Sequence, residues 1–341
     1  MSIQKCEPVS SLTPWFRQGG QGAVLALLLL VACVIFLAAL SVGGMRGGVY
    51  GVWDLLTGQG DGLLGRVIVE LRLPRALGSM GVGGLLALSG VLMQVLLRNP
   101  LADPYVLGLS GGAAFGAILA LMAGGSGLWV DGGAWLGAMV TMVMVFWLAG
   151  GPGGWERGSR LLLTGVVVAS GWGAGVSFLL YWMPDERLRG ALFWIMGDLA
   201  RGGDPWPSLV VLCVVLACVW PFSRALNLLV TGPARAASLG VAVTPVRLAL
   251  YLLSSLAAAS AVATAGSIGF VGLVIPHLLR LVGCVNHRVL LPASALLGGA
   301  LLTLADLLAR TVIAPQQMPV GILTALLGAP VFLWLLHRSL R

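Results

Sequence analysis

Apolar runs long enough to cross a bilayer follow one another along almost the whole chain, separated by short loops that carry most of its arginines. A hydrocarbon core takes roughly 20 helical residues per crossing. Such runs lie near 23–42, 76–97, 105–123, 134–150, 161–182, 206–222, 248–266, 268–284, 290–309 and 319–337. About ten spans are therefore expected, with the least distinct division between the seventh and eighth, around Gly266 and Ser267. A water-solvated surface is closed off by composition: 9% of the 341 residues are charged and 58% are hydrophobic, whereas soluble domains have roughly a quarter charged. Inside a bilayer each backbone polar group must be satisfied locally, so these runs are read as helices. Fifty glycines fit the same picture, because small residues let membrane helices approach closely. The expected fold class is an all-α membrane protein with a polar tail over 1–21 and a single transmembrane domain over 22–338. The first run is longer than a signal-peptide core, so it is expected to remain as a span.

Orientation follows from the basic residues. With the N-terminus in the cytoplasm, Lys5, Arg17, Arg98, Arg157, Arg160, Arg224, Arg235, Arg247, Arg280, Arg288, Arg338 and Arg341 lie inside. Arg46, Arg66, Arg72, Arg75, Arg187, Arg189, Arg201 and Arg310 then lie outside. Twelve against eight favours both termini cytoplasmic. Two segments do not read as spans. Residues 185–201 are expected to form a short outside helix with Leu188, Leu192, Ile195, Met196 and Leu199 on one face. Residues 223–247 are expected to form two short inside helices around Gly232-Pro233. They read either as a docking surface or as a long loop without a partner.

Several functions are excluded or disfavoured. The single lysine, Lys5, has no glycine before it, so a GxxxxGK[ST] phosphate loop is impossible. The five cysteines have no CxxC spacing, and no metal site is expected. A net charge of +8 would suggest nucleic acid in a soluble chain, but here the arginines sit in loops between spans, and no nucleic acid partner is expected. Ion-coupled transporters place carboxylates or histidines in mid-membrane. Asp306 is the one carboxylate well inside a late apolar run, and Arg310, four residues on, is its expected structural partner. With so few intramembrane charges, energy is expected to enter through a partner motor. Gly108-Leu109-Ser110-Gly111 matches the GxSG of intramembrane serine proteases, with His277 as the base such an enzyme would need. Small residues at helix contacts explain the same four residues. Gly171 and Gly175 form a GxxxG in the fifth span, which permits close approach either within the chain or between subunits.

Three stretches carry a family resemblance. Arg72-Leu73-Pro74-Arg75 leads into GGLLALSGVLMQVLLRNPLADPYVLGLSGGAAFGA; TGPARAASLGV follows; GSIGFVGLVIPHLLRLVGCVNHRVLLP comes last, with LADLLAR and MPVGILTALLGAPVFLWLL after it. Over about residues 66–338 the chain resembles the permease subunits of binding-protein-dependent ABC importers for ferric siderophores, haem and cobalamin. The resemblance implies a type II importer fold in the bacterial inner membrane. It implies a second permease subunit, expected to be a copy of this chain, two ABC ATPase subunits inside and a periplasmic substrate-binding protein outside. ATP and magnesium would be bound by the partner ATPase, with no cofactor on this chain.

Residue roles carry over at matching positions only. Arg72, Arg75 and Arg310 match outward-facing arginines that meet acidic residues of the binding protein; interfacial snorkelling is the other reading of such side chains. Asn99 and Leu101 fall where the family narrows its cytoplasmic gate. Ala236, Ala237, Ser238, Leu239 and Gly240 fall in the helices that contact the ATPase. Just before them Pro233, Ala234 and Arg235 stand where the family often has an acidic residue. Thr164 and Ser170 are candidate pathway-lining hydroxyls. The stretches NHRVLLP and GAPVFLWLL look most like cobalamin permeases, although haem and siderophore permeases share most of them. An ion-coupled secondary transporter and an intramembrane protease using Ser110 are the competing classes.

Overall fold

The computed structural model describes residues 20–43, 63–150, 158–200 and 204–339, and among them it is helical throughout, without a strand. The helices are α1 (Gly20–Ser41), α2 (Leu63–Val67), α3 (Leu73–Leu97), α4 (Leu109–Met122), α5 (Leu128–Leu148), α6 (Gly158–Tyr181) and α7 (Asp185–Ile195). They continue as α8 (Trp206–Val219), α9 (Ser223–Val230), α10 (Pro233–Ser238), α11 (Val243–Ala265), α12 (Val271–Leu281), α13 (His287–Thr311) and α14 (Val320–Ser339). Seven of the described stretches are long and apolar enough to cross a membrane: Gly22–Ser41, Gly65–Leu97, Leu128–Leu148, Arg160–Tyr181, Trp206–Val230, Val243–Ala265 and His287–Thr311. Leu109–Met122, Val271–Leu281 and Val320–Trp334 are shorter apolar helices, and they correspond to the third, eighth and tenth expected runs. The N-terminal tail and Lys5, Arg17, Arg46, Arg157, Arg201 and Arg341 lie outside the described residues.

Helix α3 is the centre of the bundle, packed against α13, α11, α8 and α12, while α4 and α5 pair beside it. Its sequence allows this because glycine backbones meet other backbones. A Cβ at Gly83 would run into the carbonyl of Gly298 on α13, and one at Gly90 would run into that of Gly272 on α12. Hydroxyls then tie the close helices together, as expected where hydrocarbon offers no competing partner. Ser79 Oγ and Thr303 Oγ1 stand 2.9 Å apart, and Ser89 Oγ donates to the Ser254 carbonyl at 2.8 Å. Helix α3 follows α2 through a π turn over Ile68–Arg72. Pro74 lacks an N–H, and its ring crowds the carbonyl four residues back, at position 70. The wider turn falls on that crowding.

Three boundaries differ from those read off the apolar runs. The third run begins not as α-helix but as a 3-10 turn, Pro104–Leu107, with Gly108 at φ +76° before α4. The sixth continues through a turn at Trp220–Phe222 into α9. The eighth contains only the 11 residues of α12, roughly 16 Å at 1.5 Å per residue, about half a hydrocarbon core. Its division from α11 falls at the expected place, at Gly266, φ +71°. Non-helical backbone at such a position needs protein around it. Here Ile268 N–H donates to Tyr105 Oη at 3.3 Å, Asp198 N–H donates to Ala265 O at 2.9 Å, and Gly321 N–H donates to Gly197 O at 3.1 Å.

The short helix α7 is present as expected but stops at Ile195, and its buried face is shifted. Ala191 and Trp194 are buried, with Leu188 and Ile195 packed beside them, while Leu192 and Met196 are exposed. Arg187 ties α7 to the end of α4 by donating to the carbonyls of Leu121 and Met122, at 3.0 and 2.7 Å.

Candidate functional site

Polar side chains gather at the two ends of the bundle. At the first end, α1 and α13 finish and α3 begins. Arg75 grips Asp306 through both carboxylate oxygens, with Nε at 2.9 and 3.0 Å and Nη2 at 2.8 Å, and its Nη1 donates to Gln317 Oε1 at 2.9 Å. Asp306 is buried on α13, and Arg310 Nε lies 3.8 Å away. The i,i+4 partner expected from the sequence is therefore the looser one. The tight pair joins α3 to α13, because close backbone contact brings position 75 opposite position 306. Arg72 is 5% exposed and turns inward, donating to the carbonyls of Leu40 at 2.8 Å and Ser41 at 3.2 Å. Arg310 donates to Ala39 O. Two guanidinium groups thus cap the last carbonyls of α1, where helix ends leave acceptors unsatisfied and the dipole favours cations. Arg72, Arg75 and Arg310 lie at this one end: Arg75 and Arg310 engage the single Asp306 carboxylate, while Arg72 is turned onto the carbonyls of α1.

At the opposite end, Arg98 in the left-handed conformation, φ 49°, terminates α3. Asn99 Oδ1 accepts from Leu101 N–H at 2.9 Å, closing a tight turn, and Asp103 Oδ1 accepts from Tyr105 N–H at 2.8 Å to start the 3-10 turn. Side chains that bond their own backbone two residues on are the usual means of fixing such turns. Leu101 projects, 37% exposed, while Ala102 is buried. The loop lies against α6: a Cβ at Gly165 would meet Val106 O, and one at Gly108 would meet the backbone of Ala169. Desolvation in this packed loop pushes the Asp103 carboxyl up to about 6, against the lowering effect of the Tyr105 N–H. Thr164, beside Gly165, is half-buried near this loop. Ser170 is exposed, with its hydroxyl turned to Val166 O at 3.0 Å.

Helices α9 and α10 belong to the same end. Ala236 is fully buried, sharing a cluster with Leu226 and Leu229, while Ala237, Ser238, Leu239 and Gly240 are exposed. Leu239 is 54% exposed, and Gly240, φ +83°, turns the chain back towards α11. Arg235 is exposed, and its carbonyl accepts from Ser238 Oγ at 2.9 Å.

The sequence reading missed two inner contacts. Arg280 donates to Gln94 Oε1, joining α12 to α3. Asn227 on α9 bonds to Asn286 and His287 at the start of α13. The Asn286-His287 pair was a legible signal, since Asn is a preferred N-cap; its partner on another helix was not. Ser110 and His277 share no hydrogen bond among the described residues, and His277 Nε2 is buried without a partner there. Ser110 lies at the start of α4, where the neighbouring Gly111 packs on Trp172 of α6.

With this geometry in place, comparisons with known proteins are direct. The family model of the FecCD transport family matches residues 28–338. The hemin transport system permease protein HmuU of Yersinia pestis is 40% identical over 331 residues, covering 93% of this chain and 96% of that protein. The vitamin B12 import system permease protein BtuC of Salmonella typhi is 39% identical over 323 residues, covering 93% and 94%. Among solved structures, an inward-facing metal-chelate type ABC transporter matches with a TM-score of 0.82 and 33% identity, over 93% of this chain and 99% of that one.

Proposed function

Because this chain belongs to the FecCD transport family, we propose that it is the membrane permease subunit of an ATP-driven importer carrying a bulky metal chelate, of the haem, cobalamin or ferric siderophore class. The observation that carries this reading is the match over residues 28–338, which takes in both polar ends and every helix between them. A permease of this kind is not itself the ATPase, in keeping with a chain that has no phosphate loop. It works with an ATPase and a substrate-binding protein. The haem and cobalamin relatives stand at 40% and 39% identity, so the choice of chelate belongs to experiment.

The finer assignments follow on that reading. The chain sits in the bacterial inner membrane with both termini cytoplasmic and pairs with a second copy, each copy serving one of two ATPase subunits. Leu239, with Ala237, Ser238 and Gly240, meets the ATPase, supported by an apolar side chain held in the open next to a buried Ala236. The Asn99–Leu101 turn narrows the cytoplasmic end of the pathway, and Thr164 and Ser170 line it. The Arg72–Arg75–Arg310 cluster faces the binding protein. Arg75 and Arg310 share one carboxylate and Arg72 bonds only to carbonyls, so the cluster keeps an excess of positive charge for acidic side chains to meet. An ion-coupled mechanism has little support, since Asp306 is engaged by Arg75.

The test is reconstitution of the chain in liposomes with its ATPase and binding protein, measuring ATP-dependent uptake of labelled cobalamin, haem and a ferric siderophore. Uptake of one chelate that requires all three components is expected. Uptake that proceeds without ATPase and collapses with an uncoupler would replace the importer with a secondary transporter.

A further inference from the structure

The start of α13 is capped by another helix. The first N–H groups of a helix have no partner within it. Asn286 Oδ1 takes that of Arg288 at 3.1 Å, and the Asn286 carbonyl takes those of Val289 and Leu290. His287 N–H donates instead to Asn227 Oδ1 on α9, at 3.0 Å. The same oxygen lies 2.6 Å from His287 Nδ1. An atom that accepts a backbone N–H must be the amide oxygen, so Nδ1 carries the proton. Asn227 Nδ2 donates to Asn286 Oδ1 at 3.1 Å. One turn into α13, Pro292 has no N–H to offer the carbonyl of Arg288, four residues back. That carbonyl accepts from Trp220 Nε1 at 3.2 Å. Four hydrogen bonds therefore run between residues 220–227 and 286–288, and His287 is 3% exposed at their centre.

Helices α9 and α10 pack on each other across the Gly232 turn, with Leu226, Leu229 and Ala236 buried in the same core as the first turns of α13. Helix α13 runs from His287 to Thr311 with Pro292 near its start, roughly 37 Å at 1.5 Å per residue. Its far end holds Asp306 and Arg310. We propose that α13 is the rod linking the arginine cluster to the α9–α10 segment, with Asn227 and His287 as positioning residues at the joint. Displacement of α9–α10 is delivered to the first turn of α13 through that joint and felt at Asp306. The reverse path lets an event at the arginine end alter the opposite end, since coupling between two sites is reciprocal. This rests on the importer reading and deepens it by naming the joint.

The test uses the complete transporter in lipid nanodiscs and reads the ratio of ATP hydrolysis with and without the binding protein. His287→Leu removes the Nδ1 bond, whereas His287→Asn places an amide donor where Nδ1 stood. The ratio is expected to fall to near unity in His287→Leu and to stay near the wild-type value in His287→Asn. A joint that served only to hold the fold would lower both rates together and leave the ratio unchanged, which overturns the inference. Should His287→Leu fail to assemble, Trp220→Phe removes a single exposed bond, and an unchanged ratio there also overturns it. Wild-type permease that binds no ATPase overturns the importer reading itself, and the inference with it.

Discussion

Helices α3 and α6 are both apolar and both rich in glycine, yet they meet different surroundings. Of the most apolar window, 89% is buried in the Gly65–Leu97 stretch and 17% in Arg160–Tyr181. On α3, Gly81, Gly83, Gly84 and Gly90 each stand where a Cβ would strike a neighbouring helix. On α6, Gly165 meets the backbone of Val106 and Gly175 meets the ring of Phe115, but Gly171 and Gly173 have nothing within 4 Å. The polar groups divide likewise. Arg75, Ser79 and Ser89 flank or line α3 and bond across to other helices, while Ser170 and Ser177 of α6 bond back to their own carbonyls. A glycine-rich membrane helix is thus either packed within its chain or left with open notches for another surface, and residue type alone does not separate the two.

The largest blow to the α3 side of this comparison is Asp306→Ala, which leaves the guanidinium groups of Arg75 and Arg310 without their carboxylate. Breaking one partner of a buried pair costs about 3–5 kcal/mol, so a clear drop in the thermal midpoint of the purified chain is expected. Gly90→Ala comes next: the added methyl meets the Gly272 carbonyl, and overpacking of this kind costs about 1–3 kcal/mol. The comparison is sharpened by Gly171→Leu on α6, which meets open space; stability of the isolated chain changes by about 0.5 kcal/mol or less. If the open face receives a second copy, the same variant lowers the dimeric fraction measured by light scattering in detergent. An equal loss of stability at Gly90 and Gly171 would break the distinction.

A pH-dependent effect is expected in the loop that follows α3 and lies against α6. The Asp103 carboxyl lies at about 6 in the folded chain, against an ordinary aspartate value of 3.8. A folded value above the unfolded one means that the contribution is present below about pH 4 and is lost as pH rises through about 6. Asp103→Asn keeps an oxygen for Tyr105 N–H and removes the titration. The difference in thermal midpoint between variant and wild type is expected to grow from pH 4 to pH 6 in favour of the variant.

Much of the fold was legible because hydrocarbon imposes one rule on every residue of a span. The division at Gly266, the paired short helices around Gly232-Pro233 and the helix at 185–195 all follow from where apolar runs pause. The half-length of α12 was hidden, since the non-helical residues Ile268 and Phe270 before it continue the apolar run. At the candidate sites, motif order placed Arg72, Arg75 and Arg310 at one end and Ala236 to Gly240 at the other. What these side chains touch was not legible. Asp306 has Arg310 four residues along, yet its two-oxygen partner is Arg75, 231 positions away. Asn227 looks like an ordinary polar residue of an inside loop until α13 is set beside it.

From the sequence alone came the all-helical membrane class, the order of the apolar runs, the absence of a phosphate loop and the family resemblance. These depend on composition, periodicity and local motifs, which each segment carries by itself. The tertiary structure decided which glycines are filled, which arginines turn inward to cap α1, and that a side chain of α9 completes the first turn of α13. Those outcomes depend on which helix lies alongside which, and a hydrogen bond between distant positions exists only after the backbones between them have packed.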